Sequence, residues 1–230
     1  VEWNDTKIDY PRDKCIHELF ETQVEKTPDA IALVFPSTGS GRGEDQQITY
    51  RELNNRANQL AYYLQKLGVG PEVLVGLCVD RSVEMVIGML GILKAGAAYV
   101  PLDPGYPRER LAFMLADTQA PVLITTQRLL DGLPNHVGPI VCLDAEWDRM
   151  AHHTQQEPVS KVTPSNLAYA IYTSGSSGQP KAVAMSHRSL CNLLSWQLQT
   201  STHSTSARTL QFASLSFDVS FQEIFATLYS

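Results

Sequence analysis

The chain has 230 residues, 43% of them hydrophobic and 18% charged, which is enough apolar material for a sizeable core and too little charge for disorder. Its formal net charge of −6 excludes a general role on nucleic acid or anionic membrane surfaces, although local basic patches remain compatible with it. No apolar run approaches the ~20 residues that span a bilayer, and Val1-Glu-Trp-Asn-Asp5 has neither the basic flank nor the apolar core of a signal peptide.

Helices and strands alternate along the chain. Ile16, Leu19, Phe20 and Val24 recur at helical spacing up to a stop at Thr27-Pro28, and Ala30 to Phe35 reads as a strand. The stretch 36–47 is rich in Gly and Ser and is expected to be a surface loop. Thr49-Tyr-Arg-Glu52 is a capping box opening a helix that buries Leu53, Ala57, Leu60, Ala61 and Leu64 and ends at Gly68. A strand over Val73–Val79, a helix over Ser82–Lys94 capped by Gly96, and strands over Ala97–Val100 and Pro121–Thr125 follow, with a short helix over Arg108–Asp117. Such alternation predicts a largely parallel sheet covered by helices. The polar stretch Asp148–Ser165 is the expected connection between two sub-blocks. Beyond it come a strand over Leu167–Tyr172, a helix over Ser189–Thr200, a strand over Arg208–Phe212 and a helix over Asp218–Leu228. Cys15, Cys78, Cys142 and Cys191 show no C-x-x-C spacing, so they read as reduced thiols of a cytoplasmic protein, with no zinc site or disulfide framework.

The stretch Tyr172-Thr-Ser-Gly-Ser-Ser-Gly-Gln-Pro-Lys181 concentrates hydroxyls, glycines and one lysine in a single turn between two apolar runs. Glycines let backbone N–H groups approach a ligand, and a concave run of N–H groups binds anions. The turn is therefore suited to a polyphosphate. It is not a Walker loop: Pro180 stands where a glycine is required, and Ala182 where a hydroxyl is required. The apolar Ala182–Met185 that follows reads as a second strand, making a hairpin. A merely flexible Ser/Gly linker is the plain alternative, but linkers join polar segments, and this one does not. His187 reads as structural, and Asp218, beside Phe217 near a helix start, reads on composition as an N-terminal cap.

Four stretches in order carry a resemblance to the adenylation domains of nonribosomal peptide synthetases, members of the adenylate-forming superfamily. They are Ile48-Thr-Tyr-Arg-Glu-Leu-Asn54 running into Arg56–Ala61, then Leu93–Leu111, the turn ending at Lys181, and Phe217-Asp-Val-Ser-Phe-Gln-Glu223. Trp3–Thr6 and His17–Glu21 look like the stretch that joins a condensation domain to such a domain. The resemblance implies an α/β fold of layered sheets with flanking helices, part of the large N-terminal subdomain of an adenylate-forming enzyme. It divides the chain into a linker over residues 1–15 and an incomplete subdomain over 16–230, with the family's catalytic lysine beyond Ser230, so that the isolated chain is expected to be inactive or nearly so and the whole enzyme active.

By that resemblance, an amino-acid carboxylate attacks the α-phosphate of ATP, and the acyl group then passes to the phosphopantetheine thiol of a carrier protein. Thr173, Ser174, Gly175, Ser176, Ser177 and Gly178 would surround the phosphates, Lys181 would add charge, and Mg²⁺ would bridge phosphate oxygens. Asp218 would pair with the substrate's α-amino group, with Val219, Gln222 and Phe217 at the side-chain pocket. The triplet Asp218, Val219 and Gln222 is similar to pockets that accept proline or a related imino acid. Implied partners are a peptidyl carrier protein, a condensation domain and a small MbtH-like protein. The one departure from the family pattern is Ala182, where glycine is usual. An acyl-CoA or aryl-acid ligase of the same superfamily would share the loop but has no use for a carboxylate at Asp218. A non-catalytic interaction fragment is the reading from another class.

Overall fold

The computed structural model describes residues 9–36, 45–175, 179–200 and 207–229. Helix α1 (Ile16–Lys26) leads into an antiparallel hairpin of β1 (Ile31–Phe35) and β2 (Gln46–Thr49). Helix α2 (Tyr50–Lys66), strand β3 (Leu74–Leu77), helix α3 (Val83–Lys94), strand β4 (Ala98–Pro101), helix α4 (Arg108–Thr118) and strands β5 (Val122–Thr125) and β6 (Ile140–Cys142) follow. A short α5 (Trp147–Ala151) precedes the hairpin β7 (Leu167–Thr173) and β8 (Lys181–Ser186), then α6 (His187–Thr200) and α7 (Val219–Tyr229). The main sheet runs β6-β5-β3-β4-β7-β8, parallel throughout except for the β7–β8 pair.

The two faces of this sheet are legible as strand alternation. Tyr99, Val122, Ile124, Tyr169 and Ile171 point to a large core built with α1, α2, α3, α6 and α7. Val100, Leu123, Ala170 and Tyr172 point the other way, against Leu111, Met114 and Leu115 of α4. Because both faces are covered, the strands read as continuous apolar runs. Helix α3 is buried along its whole length, wedged between the sheet and α2, which is why its sequence is apolar all round. On α2, Leu53, Leu60 and Leu64 are fully buried, each worth roughly 1.5–3 kcal/mol of apolar transfer.

The helix ends form as their sequences dictate. Thr49 Oγ1 accepts the Glu52 N–H at 3.2 Å and Ser82 Oγ accepts the Met85 N–H at 3.2 Å. Gly68 (φ 84°) and Gly96 (φ 94°) take the left-handed conformation that closes α2 and α3.

Two expectations are corrected. Residues 46 and 47 belong to strand β2, not to a loop: their polar side chains hid a pairing with β1. Arg208–Phe212 is irregular and not a strand; at its end the Phe212 and Ala213 N–H groups are taken by the Glu223 carboxylate at 3.0 Å each. The expected connection 148–165 begins inside α5 and then runs as an extended strap across α2. Asn58, Gln59, Tyr62 and Gln65, on one face of α2, donate to the carbonyls of Gln155, Ala151, Glu157 and Val159 at 2.8–3.2 Å.

Candidate active site

Strands β3 and β4 are neighbours, yet the helices that follow them cover opposite faces of the sheet. A crevice at the carboxyl ends of such strands is where open α/β sheets bind ligands. The described ends of the Lys181 turn, and the cleft lined by Phe217, Asp218 and Val219, lie at that end of the sheet.

The hairpin turn leaves the carboxyl end of β7. Thr173 and Lys181 are register partners, and the Thr173 hydroxyl donates to the Lys181 carbonyl at 3.4 Å. Thr173, Ser174 and Lys181 are exposed and Gly175 is half-buried. A Cβ on Gly175 would stand 2.1 Å from the Gln179 carbonyl oxygen, so the neck of the turn closes only on a glycine. Ser176, Ser177 and Gly178 lie outside the described residues. Ala182 is an exposed strand residue opposite Tyr172, and it is not among the non-glycine positive-φ residues, so alanine is free of backbone strain there.

The root of the turn is anchored to α4. The Tyr172 hydroxyl donates to Asp117 Oδ2 at 2.5 Å, and its ring meets Phe113 edge-on at 6.4 Å. Burial, and then the hydrogen bond to Asp117, push the Tyr172 phenol well above its ordinary value, so it remains a donor. Sequence reading placed Tyr172 in the strand but did not see Asp117, which lies far back in the chain.

The second feature is an open cleft of about 740 Å³ lined by Arg81, Phe212, Phe217, Asp218, Val219 and Glu223, among others. The irregular segment that forms one wall crosses the carboxyl ends of β3 and β4. There Ser214 Oγ donates to Asp103 Oδ2 at 2.7 Å, and the Arg81 guanidinium donates to the Phe212 carbonyl. Asp218 is exposed at the entrance of α7, flanked by Phe217 (62% exposed) and Val219 (49% exposed). Its charge reaches the sheet: burial first, and then Asp218, lift the Tyr169 phenol to about 12. Gln222 is half-buried on α7 and is not one of the cleft-lining residues.

His187 is fully buried, its Nδ1 accepting the Ile16 N–H at 3.2 Å, and burial pushes its imidazole down to about 4. Among the described residues, no group of three or more His, Cys, Asp or Glu side chains could hold a metal ion. Arg81 and Glu223 were not singled out from sequence. The signal that could have found Arg81 is its place between the end of β3 and the cap of α3, at the sheet edge where ligands bind.

Comparison with known proteins gives the family. The AMP-binding enzyme family matches residues 20–230. A linear gramicidin synthase of Brevibacillus parabrevis is 51% identical over 228 residues, covering 99% of this chain and 4% of that protein. The nonribosomal peptide synthetase FmoA3, in its α-methyl-L-serine-AMP bound form, superposes with a TM-score of 0.87 at 31% identity, covering 99% of this chain and 24% of that one. The N-terminal subdomain of Klebsiella oxytoca NpsA gives 0.79 at 27% identity, covering 95% of this chain and 54% of that one. The chain thus spans a small fraction of the synthetases it matches and about half of the NpsA subdomain. On fold, motifs and these matches together, it belongs to the AMP-binding enzyme family, as an N-terminal portion of an adenylation domain of the nonribosomal peptide synthetase kind.

Proposed function

We propose that the complete domain activates an amino acid with ATP and passes the acyl group to a carrier protein. A carboxylate oxygen attacks the α-phosphorus, the bond to the bridging oxygen breaks, and pyrophosphate leaves. The carrier's phosphopantetheine thiol then attacks the acyl carbon, and AMP leaves. The observation that carries this reading is the common edge of the sheet on which the Lys181 turn and the Asp218 cleft both open.

The first step brings a carboxylate to a polyphosphate, so positioning and charge neutralisation dominate catalysis. Thr173, Ser174 and Gly175 supply hydroxyl and N–H donors at the turn, Ser176, Ser177 and Gly178 complete it, and Lys181 adds a full charge. The donor set suits phosphate oxygens, and a Mg²⁺ ion would enter on those oxygens with its own waters. Bound there, it supplies further charge neutralisation.

In the cleft, Asp218 pairs with the substrate's α-ammonium. Phe217 and Val219 offer apolar surface to a small side chain, and Gln222 stands one turn further along α7. A small apolar amino acid or cyclic imino acid such as proline fits this set. The FmoA3 structure holds an aminoacyl-adenylate, which supports the same order of events here. The reading places the protein in the cytoplasm, with a peptidyl carrier protein, a condensation domain joined through residues 1–15 and an MbtH-like protein as partners.

The test is ATP–pyrophosphate exchange by the complete domain with a panel of amino, aryl and fatty acids. Exchange that depends on one small apolar or imino acid is expected. Exchange with aryl or fatty acids alone would replace this reading with an acyl ligase.

A further inference from the structure

We propose that Glu223 and Arg81 are positioning residues that set the wall of the amino-acid cleft by gripping the Phe212 peptide from both sides. One carboxylate oxygen of Glu223 accepts the N–H groups of Phe212 and Ala213, at 3.0 Å each. The Arg81 guanidinium, from the segment between β3 and α3, takes the Phe212 carbonyl. Gln211 adds a longer contact from its Nε2 to the same Glu223 oxygen at 3.4 Å.

Two consecutive N–H groups on one carboxylate oxygen cannot also join a sheet ladder. The grip therefore holds the Phe212–Ala213 end of the irregular segment 207–213 out of any ladder. It also fixes Phe212, 75% exposed, in the wall of the cleft that Asp218 lines. Without the grip, these amides and the carbonyl would be free to rotate toward water or toward one another. The wall beside Asp218 would then no longer have one shape.

A charged acceptor strengthens each hydrogen bond. Arg81 is held for its task by its place directly before the Ser82 cap of α3, a helix buried along its length. Neither residue needs to touch the reacting atoms.

This inference rests on the amino-acid-activation reading, so its test has one arm that does not. In the complete domain, hydrogen exchange at the Phe212 and Ala213 amides is measured without substrate in the unsubstituted protein, Glu223→Gln and Glu223→Ala. Protection is expected to fall in that order; equal protection in all three overturns the grip.

In the exchange assay, Glu223→Ala and Arg81→Met are expected to raise KM for the amino acid about tenfold or more, the scale of a lost charged hydrogen bond. KM for ATP and kcat should change far less, and Arg81→Lys, which keeps a donor, should recover most of the loss. If Glu223→Ala fails to fold, the milder Glu223→Gln carries the comparison. Unchanged amino-acid KM in these variants, or an equal loss through kcat, overturns the inference. An unsubstituted domain that shows no amino-acid-dependent exchange contradicts the functional reading instead, and the amide-protection arm still decides the grip.

Discussion

The junction of α1 with α6 makes the chain's stability depend on acid in a calculable way. His187 is fully buried, its Nδ1 accepts the Ile16 N–H, and its Nε2 has no hydrogen-bond partner among the described residues. An acceptor at Nδ1 requires the neutral ring with its proton on Nε2. Burial lowers its folded value from 6.5 to about 4, whereas the unfolded chain binds the proton near 6.5. The contribution is thus complete above the unfolded value and is lost as pH falls through the window between the two. At about pH 5, His187 alone removes roughly 2 kcal/mol relative to neutral pH. His17, packed edge-on at 5.7 Å and lowered by burial, by His187 and by Lys94, acts in the same direction. Urea denaturation midpoints across this range measure the loss. The substitution His187→Asn keeps an acceptor near the Ile16 N–H and abolishes the titration. It should cost stability at every pH but flatten the acid slope by up to one proton, about 1.4 kcal/mol per pH unit. An unaltered slope in His187→Asn would refute the assignment.

Three further outcomes follow from the same structure. Gly175→Ala places a Cβ 2.1 Å from the Gln179 oxygen. In calorimetry it should therefore weaken binding of a non-hydrolysable ATP analogue by about tenfold or more, with a smaller effect on the melting temperature because Gly175 lies outside the buried core. Asp218→Ala in the complete domain should raise KM for the amino acid by on the order of 30-fold or more, the scale for truncating one partner of a charged pair, with KM for ATP largely spared. Glu21→Ala leaves the fully buried Lys94 ammonium without its ion-pair partner and should cost roughly 3–5 kcal/mol in chemical denaturation. The double variant Glu21→Ala/Lys94→Met should recover much of that.

What the sequence disclosed and what it concealed divide along local and non-local lines. Helices α2 and α3 carry their own punctuation, Thr49 and Ser82 at the start and Gly68 and Gly96 at the end, so their limits could be read directly. The β7–β8 hairpin was legible because two apolar runs flank a turn too rich in glycine to be either. By contrast, β6 is an apolar run of only three residues behind Gly138-Pro139, too short to stand out, and β2 begins on two glutamines, so it lacks the apolar run that marks a strand. Leu210 and Phe212 looked like strand residues, yet the segment is irregular, and the Phe212 N–H goes to the carboxylate of Glu223 on the following helix. The candidate site follows the same rule. Lys181 was singled out from its neighbours in sequence and Asp218 from the family resemblance, whereas Asp117, Arg81 and Glu223 make their contacts with residues far away in the chain or on another element.

Every functional step proposed above requires the turn before Lys181 to hold a nucleotide's phosphates. Calorimetric titration of the complete domain with a non-hydrolysable ATP analogue and Mg²⁺, against Lys181→Ala, measures this directly. Binding weakened by about tenfold or more in the variant, consistent with a lost charged contact, is the predicted result. Equal affinity and equal heat in the two proteins would contradict it.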